Sequence, residues 1–195
     1  MSRIDSAGIV RPLFRTLLES GDLISIYDDG TACLLVLIDV LGHGANARTV
    51  AVQASTWLDG HRAEPLAALI AGLHRCLAGT RGAVAAACRF DSETGILQYA
   101  GVGNIALRTV GRQAASLVIA DGVLGYGAVH AAAHEMKLYP GTTLIMHSDG
   151  VSTHFDILEC PEILHKNAEE IAEAILNRFG VKDDDASCIV MKYLQ

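Results

Sequence analysis

The sequence has no cluster of lysine or arginine, no C-x-x-C pair and no long apolar run, and each absence removes a class of function. Acidic residues number 22 against 15 basic ones, a formal net charge of −7. Nucleic-acid binding needs a cationic stripe to neutralise phosphates, so it is not expected here. An acidic chain can still take a phosphate ligand if metal ions intervene. The longest apolar strings, such as residues 33–38, fall far short of the ~20 residues that span a bilayer. The N-terminus, Met1-Ser2-Arg3-Ile4-Asp5, lacks the apolar region of a signal peptide. The five cysteines are Cys33, Cys76, Cys88, Cys160 and Cys188. An odd number without C-x-x-C spacing fits neither a disulfide framework nor a zinc ribbon. Four of them lie in apolar runs, where cysteine behaves as a small buried hydrophobe. A soluble protein of a reducing cytoplasm, with no membrane partner, is expected.

What is present describes a well-packed chain. Hydrophobic residues make up 51% and charged residues 19%, which excludes a disordered chain. A length of 195 residues favours one domain over 1–195 and lets roughly 70% of the unfolded surface be buried without disulfides or a structural metal. There is no linker, repeat or low-complexity segment, and the four prolines are scattered.

The periodicities alternate between strand and helix. Asp28-Asp29-Gly30 separates residues 23–27 from 31–39 and has the signature of a hairpin turn. The run 32–38 is apolar throughout, which suits a central strand covered on both faces. After Gly44, residues Val50, Ala54, Trp57 and Leu58 share one helical face. A second helix is expected from Glu64-Pro65 through Leu66, Leu69, Ile70, Leu73 and Leu77 to about Gly79. Strands are expected at 82–90, 96–99, 105–110, 116–119, 132–138 and 143–146. Residues 162–179 then read as one amphipathic helix, and 187–193 as a last strand. Many antiparallel strands with two separate helical blocks, 45–78 and 162–179, argue for an α+β fold: two sheets packed face to face with helices outside.

Four aspartates fall at strand ends. Asp22 precedes a strand, Asp39 ends the apolar run, Asp149 follows 143–146, and Asp184 precedes the last strand. Strand ends are where distant parts of a layered fold converge. Gathered carboxylates repel, and a hard dication with oxygen ligands, Mg²⁺ or Mn²⁺, offsets that repulsion. Any one of these aspartates taken alone reads better as a turn residue. The segment Asp39-Val40-Leu41-Gly42-His43-Gly44 is more specific. A buried strand runs into Asp, then into two glycines that let the backbone approach a bound group closely, then into a helix N-terminus that favours anions.

With Gly21-Asp22, Gly101-Val102-Gly103-Asn104, Ser148-Asp149-Gly150 and Asp184-Asp185-Ala186-Ser187, that segment completes an ordered set. The set resembles the motifs of the metal-dependent type 2C serine/threonine phosphatases, in particular the SpoIIE-type branch and its small stressosome members. The resemblance covers residues ~20–195. It implies a four-layer fold, a β-sandwich with helices on both sides, and a site with two Mn²⁺ or Mg²⁺ ions. By motif position Asp39 would bridge both ions and the carbonyl of Val40 would bind one. Asp149 and Asp184 would hold the other, which Asp22 would bind or whose waters it would fix; Asp185 would not be a ligand. A hydroxide shared by the ions would attack phosphorus in line and release serine or threonine. The substrates implied are phosphorylated STAS-domain stressosome proteins. The alternative is a phosphatase fold that has lost activity and only docks on a partner.

His43 reads either as an acid near the leaving oxygen or as a residue packing beneath the helix start. Asn104 reads as a turn residue, or as a hydrogen-bond partner of a metal-bound water. The other histidines, His147 included, read as ordinary strand or surface residues. The chain departs from many relatives of the family in two respects. Many eukaryotic members place an Arg a few residues before the first acidic motif to grip phosphate; here Leu18-Glu19-Ser20 precede Gly21, and the nearest upstream Arg is Arg15. The stretch between Asn104 and Asp149 also leaves little room for a long flap, which suits an open site and a bulky phosphoprotein.

Overall fold

The apolar run becomes strand β3 (Ala32–Val40), and its alternation sends side chains into two different cores. Leu34, Val36, Ile38 and Val40 pack against helices, while Cys33, Leu35 and Leu37 enter the space between two sheets. A strand buried on both faces needs no polar alternation, which explains the unbroken hydrophobicity. The computed structural model describes residues 3–13, 16–152, 155 and 160–195.

Two antiparallel five-stranded sheets form the centre. The first has the order β2 (Asp22–Asp28), β3, β4 (Ala83–Asp91), β5 (Ile96–Val102) and β8 (His134–Lys137). The second has the order β1 (Ile4–Arg11), β10 (Ala186–Tyr193), β9 (Thr142–His147), β6 (Ala106–Gly111) and β7 (Ala115–Leu117). Phe90, Leu97, Leu107, Leu144, Met146 and Ile189 are among the side chains interdigitating between them. Helices α1 (Ala45–His61) and α2 (Leu66–Cys76) cover the first sheet, through Ala47, Ala54, Leu58, Leu69 and Leu73. Helix α3 (Ala168–Phe179) covers the second, through Ile171, Ala172 and Ile175 on Ile145, Cys188 and Val190. The expected α+β sandwich with outer helices is therefore present, in four layers.

Three local expectations are revised. Residues 4–11, which carry no strand or helix periodicity, form edge strand β1, paired along its whole length with β10. The block 162–179 is not one helix. Pro161–His165 is a 3₁₀ turn, and α3 begins afresh at a capping box in which the Asn167 side chain and Glu170 satisfy each other's backbone amides. The strand expected at 116–119 is confined to Ala115–Leu117. All five cysteines are free thiols, four of them buried. Among the described residues no helix is long and apolar enough to cross a membrane.

Candidate metal centre

The β2–β3 pairing sets Asp22 directly opposite Asp39. The second sheet brings up the other carboxylates. Ser148, after β9, donates its amide to the Ser187 carbonyl at 3.1 Å, so Asp149 and Asp184 flank the joined ends of β9 and β10. The site thus straddles the seam between the two sheets. Asp39, Val40, Gly42, Asn104, Asp149 and Asp184 line one cavity of about 550 Å³.

Hydrogen bonds behind the cavity hold this arrangement. Asp22 is only 2% exposed, and its Oδ2 accepts from Ser148 Oγ at 2.9 Å. The same Oγ accepts from Ser187 N at 3.0 Å. Asp185, also buried, spends its two oxygens on the amides of Leu13 and Gly21 at 2.7 and 2.9 Å. Asn104 Nδ2 donates to Asp149 Oδ2 at 3.0 Å. His43 stands exposed at the rim, near enough to Asp184 for its charge to act on that carboxylate.

Burial and repulsion from neighbouring carboxylates raise the proton affinity of Asp22, Asp39 and Asp184. Asp39 is pushed up to about 9, by burial first and then by Asp22, Asp149 and Asp184. Asp22 is raised to about 7, mainly by burial, with the Ser148 hydroxyl working the other way. Asp184 is raised too, by burial and then by Asp149 among its neighbours. Among the described residues no three His, Cys, Asp or Glu are drawn tightly enough together to hold an ion unaided. The lining nevertheless fits a hard dication: carboxylates, backbone carbonyls and a carboxamide around a cavity roomy enough for water match Mg²⁺ or Mn²⁺, which keep several water ligands.

A pH effect follows from these shifts. In the unfolded chain aspartate ionises near 3.9. In the folded chain Asp22 and Asp39 hold their protons up to about 7 and 9. Between those limits the unfolded state has lost protons that the folded state keeps, so stability falls as pH rises. The metal-free protein is expected to melt lower at about pH 8.5 than at about pH 5, with the gap closing in excess Mg²⁺ and shrinking in Asp39→Asn. Melting curves in chelator and in Mg²⁺ measure this, and a gap that Mg²⁺ leaves unchanged would locate the effect elsewhere.

The family model for stage II sporulation protein E (SpoIIE) matches residues 28–194. The chain belongs to the SpoIIE family. SpoIIE-type proteins are a branch of the metal-dependent type 2C serine/threonine phosphatases, and solved structures agree with that placement. One, described under the bacterial stressosome as a modular system adapted to control secondary messenger signaling, is 28% identical with a TM-score of 0.88, over 97% of this chain and 99% of that one. RsbX in complex with magnesium is 20% identical with a TM-score of 0.78, over 96% and 94%. The type 2C phosphatase domain of SpoIIE from Bacillus subtilis, with a fragment of its regulatory domain, is 19% identical with a TM-score of 0.80, over 97% of this chain and 63% of that one. No curated protein matches the chain by sequence.

For this SpoIIE-family chain, the expected site residues fall into three places. Asp39, Val40, Asp149 and Asp184 line the cavity; Asp22 lies behind it in the adjoining strand; His43 is on the rim. Arg15 lies outside the described residues. His147 is buried at the end of β9, its Nδ1 donating to the Ser148 carbonyl at 2.9 Å, and burial lowers its proton affinity. Sequence reasoning missed Asp121. Among the described residues no long flap covers the site, but residues 120–124 fold back as a wall, with Gly103 N donating to the Ala120 carbonyl and Leu124 N to that of Ala83. That wall sets Asp121, Gly122 and Val123 on the cavity. The only signal for it was the turn-forming Asp121-Gly122 pair.

Proposed function

We propose that the chain is a metal-dependent protein phosphatase that hydrolyses phosphoserine or phosphothreonine on folded proteins, with phosphorylated STAS-domain stressosome proteins as its substrates. The observation that carries this reading is the gathering of Asp39, Val40, Asp149 and Asp184 on one open cavity in a SpoIIE-family chain. The stressosome assignment is supported by likeness to the stressosome-associated chain and to RsbX.

Asp39, the Val40 carbonyl, Asp149 and Asp184 would hold the two Mn²⁺ or Mg²⁺ ions, with Asp22 behind. Such ions supply charge neutralisation for the phosphoryl group and an acidified water. The chain's own part is to fix the carboxylates and to keep the entrance open to a bulky substrate. Ser148 holds Asp22 in place beside Asp39. Asn104 orients Asp149 through its carboxamide. His43, exposed beside Gly42, would give a proton to the departing serine or threonine oxygen.

The deciding experiment is phosphate release from candidate phospho-STAS proteins in Mn²⁺ and in chelator. Release confined to Mn²⁺ is expected. Binding of the partner with no release under any metal would favour a docking module instead. A second expectation concerns Asn104→Ala, which frees Asp149 to rotate. Turnover at saturating Mn²⁺ should fall by roughly 10-fold and the Mn²⁺ needed for half-maximal activity should rise, as when a partner that orients a metal ligand is lost. A metal titration of activity measures both.

A further inference from the structure

The loop that enters β4 brings one cation to the mouth of the cavity. Arg81 is half-buried between two well-held residues. On one side, the Thr80 carbonyl accepts from the Tyr126 hydroxyl at 3.0 Å, and Thr80 Oγ1 donates to the Leu77 carbonyl at 2.7 Å. On the other, the Gly82 carbonyl accepts from Leu41 N at 3.1 Å, and Gly82 N donates to Thr80 Oγ1 at 3.1 Å. The backbone of Arg81 is therefore pinned to the strand exit at Leu41 and to the wall that follows Asp121.

Its guanidinium lies across Gly42. A Cβ on Gly42, where φ is +77°, would stand 3.4 Å from Nη1 and 3.5 Å from Cζ and Nη2. These are van der Waals distances, so the guanidinium is packed beside Gly42, and Leu41 and Gly42 themselves line the cavity. Nη1 donates to the His43 carbonyl at 3.4 Å. That is a long bond, and it uses one donor of a five-donor fork. Among the described residues the ion pair found is Arg178–Glu162, so Arg81 has no carboxylate partner there although carboxylates line the adjoining cavity. As a brace for the 42–44 loop such an arginine is poorly used. A planar fork with spare donors beside a cavity suits an anion that offers two oxygens.

We propose that Arg81 receives the phosphoryl oxygens of the substrate at the mouth of the cavity. The role rests on the phosphatase reading above and adds a substrate-binding residue to it. Arg81 lies far along the chain from the position before Gly21 where the sequence lacks an arginine, so no motif marks it.

The test uses the whole chain with Mn²⁺, p-nitrophenyl phosphate as substrate and inorganic phosphate as competing inhibitor, for wild type, Arg81→Ala and Arg81→Lys. In Arg81→Ala, KM and the inhibition constant of phosphate should both rise by roughly 10-fold or more, the scale of a lost charge-assisted bond, while kcat changes by less than about 3-fold. Arg81→Lys should recover part of the loss, since it keeps the charge but not the fork. The Mn²⁺-induced rise in melting temperature should be unchanged in both. A brace would behave differently: kcat and the Mn²⁺ shift would fall together and Lys would not rescue them, which overturns the proposal. Unchanged phosphate inhibition in a normally melting Arg81→Ala overturns it as well and leaves the phosphatase reading standing. A wild-type chain with no Mn²⁺-dependent turnover overturns that reading and this inference with it.

Discussion

Replacing Asp39 by Asn is expected to lower turnover by at least ~10²-fold, the scale seen when a preorganised electrostatic element is lost. Asp39 ends the central strand, faces Asp22 across the β2–β3 pair and lines the cavity with Asp149 and Asp184. An amide keeps the shape but removes the charge that would offset bound dications. The fold should gain, because burial and three neighbouring carboxylates push the Asp39 carboxyl up to about 9. An amide is not subject to that repulsion, so the metal-free melting temperature near neutral pH should hold or rise. The stabilisation given by added Mn²⁺ should shrink. Paired measurements of turnover and Mn²⁺-dependent melting check this. Retained turnover with an unchanged Mn²⁺ shift would reduce Asp39 to a turn residue and remove the basis of the mechanism.

Gly150→Ala is expected to cost about 3 kcal/mol of stability, at the upper end for overpacking, and with it most of the activity. The backbone of Gly150 runs against the start of β10. A Cβ there would lie 1.9 Å from the Asp185 carbonyl oxygen and 2.7 Å from Ala186 Cα. Both are backbone atoms and neither can turn aside. Relief requires β10 to move off the β9 turn, although Ser148 holds the two together through Ser187. Movement there separates Asp149 from Asp184 and draws Asp185 away from the amides of Leu13 and Gly21. For a chain of this size the melting temperature should drop by roughly 6–12 °C. The Mn²⁺-induced shift should be largely lost. Thermal melts with and without Mn²⁺ measure both, and a variant that melts like wild type would mean that the chain at 184–186 yields freely.

The sequence announced those parts of the fold whose burial leaves a periodic trace. The unbroken run 32–38 became β3 because both of its faces are covered, and the stripes of α1 and α2 were legible because each has one apolar side. Strand β1 was not legible. Asp5, Ser6 and Gly8 break any alternation, and the strand is held by backbone pairing to β10, which no side-chain pattern records. The restart of the helix at Asn167 was visible in principle, since Asn with Glu three residues on is a capping box. It was overridden because Ile163 and Leu164 continue the apolar stripe. At the site, the motifs named the carboxylates that line the cavity but not what holds or faces them. The Ser148–Asp22 bond joins residues 126 apart in the chain. Asp121 reaches the cavity, and Arg81 the neighbouring Gly42, through turns whose placement depends on tertiary pairing, as between Ala83 and Leu124.

The position of the carboxylates on the seam has a mechanical consequence. Asp22 and Asp39 belong to one sheet, while Asp149 and Asp184 belong to the ends of the other. Ions held between them would act as rivets, added to the apolar side chains and the few polar bonds, such as Ser148 to Asp22, that already join the two plates. Neither plate alone carries a complete set of ligands, so the half-built sandwich has nothing with which to capture metal. Metal would therefore favour the closed sandwich over any state in which the sheets have parted, and the last hairpin, β9 to β10, is the part that the rivet would fasten.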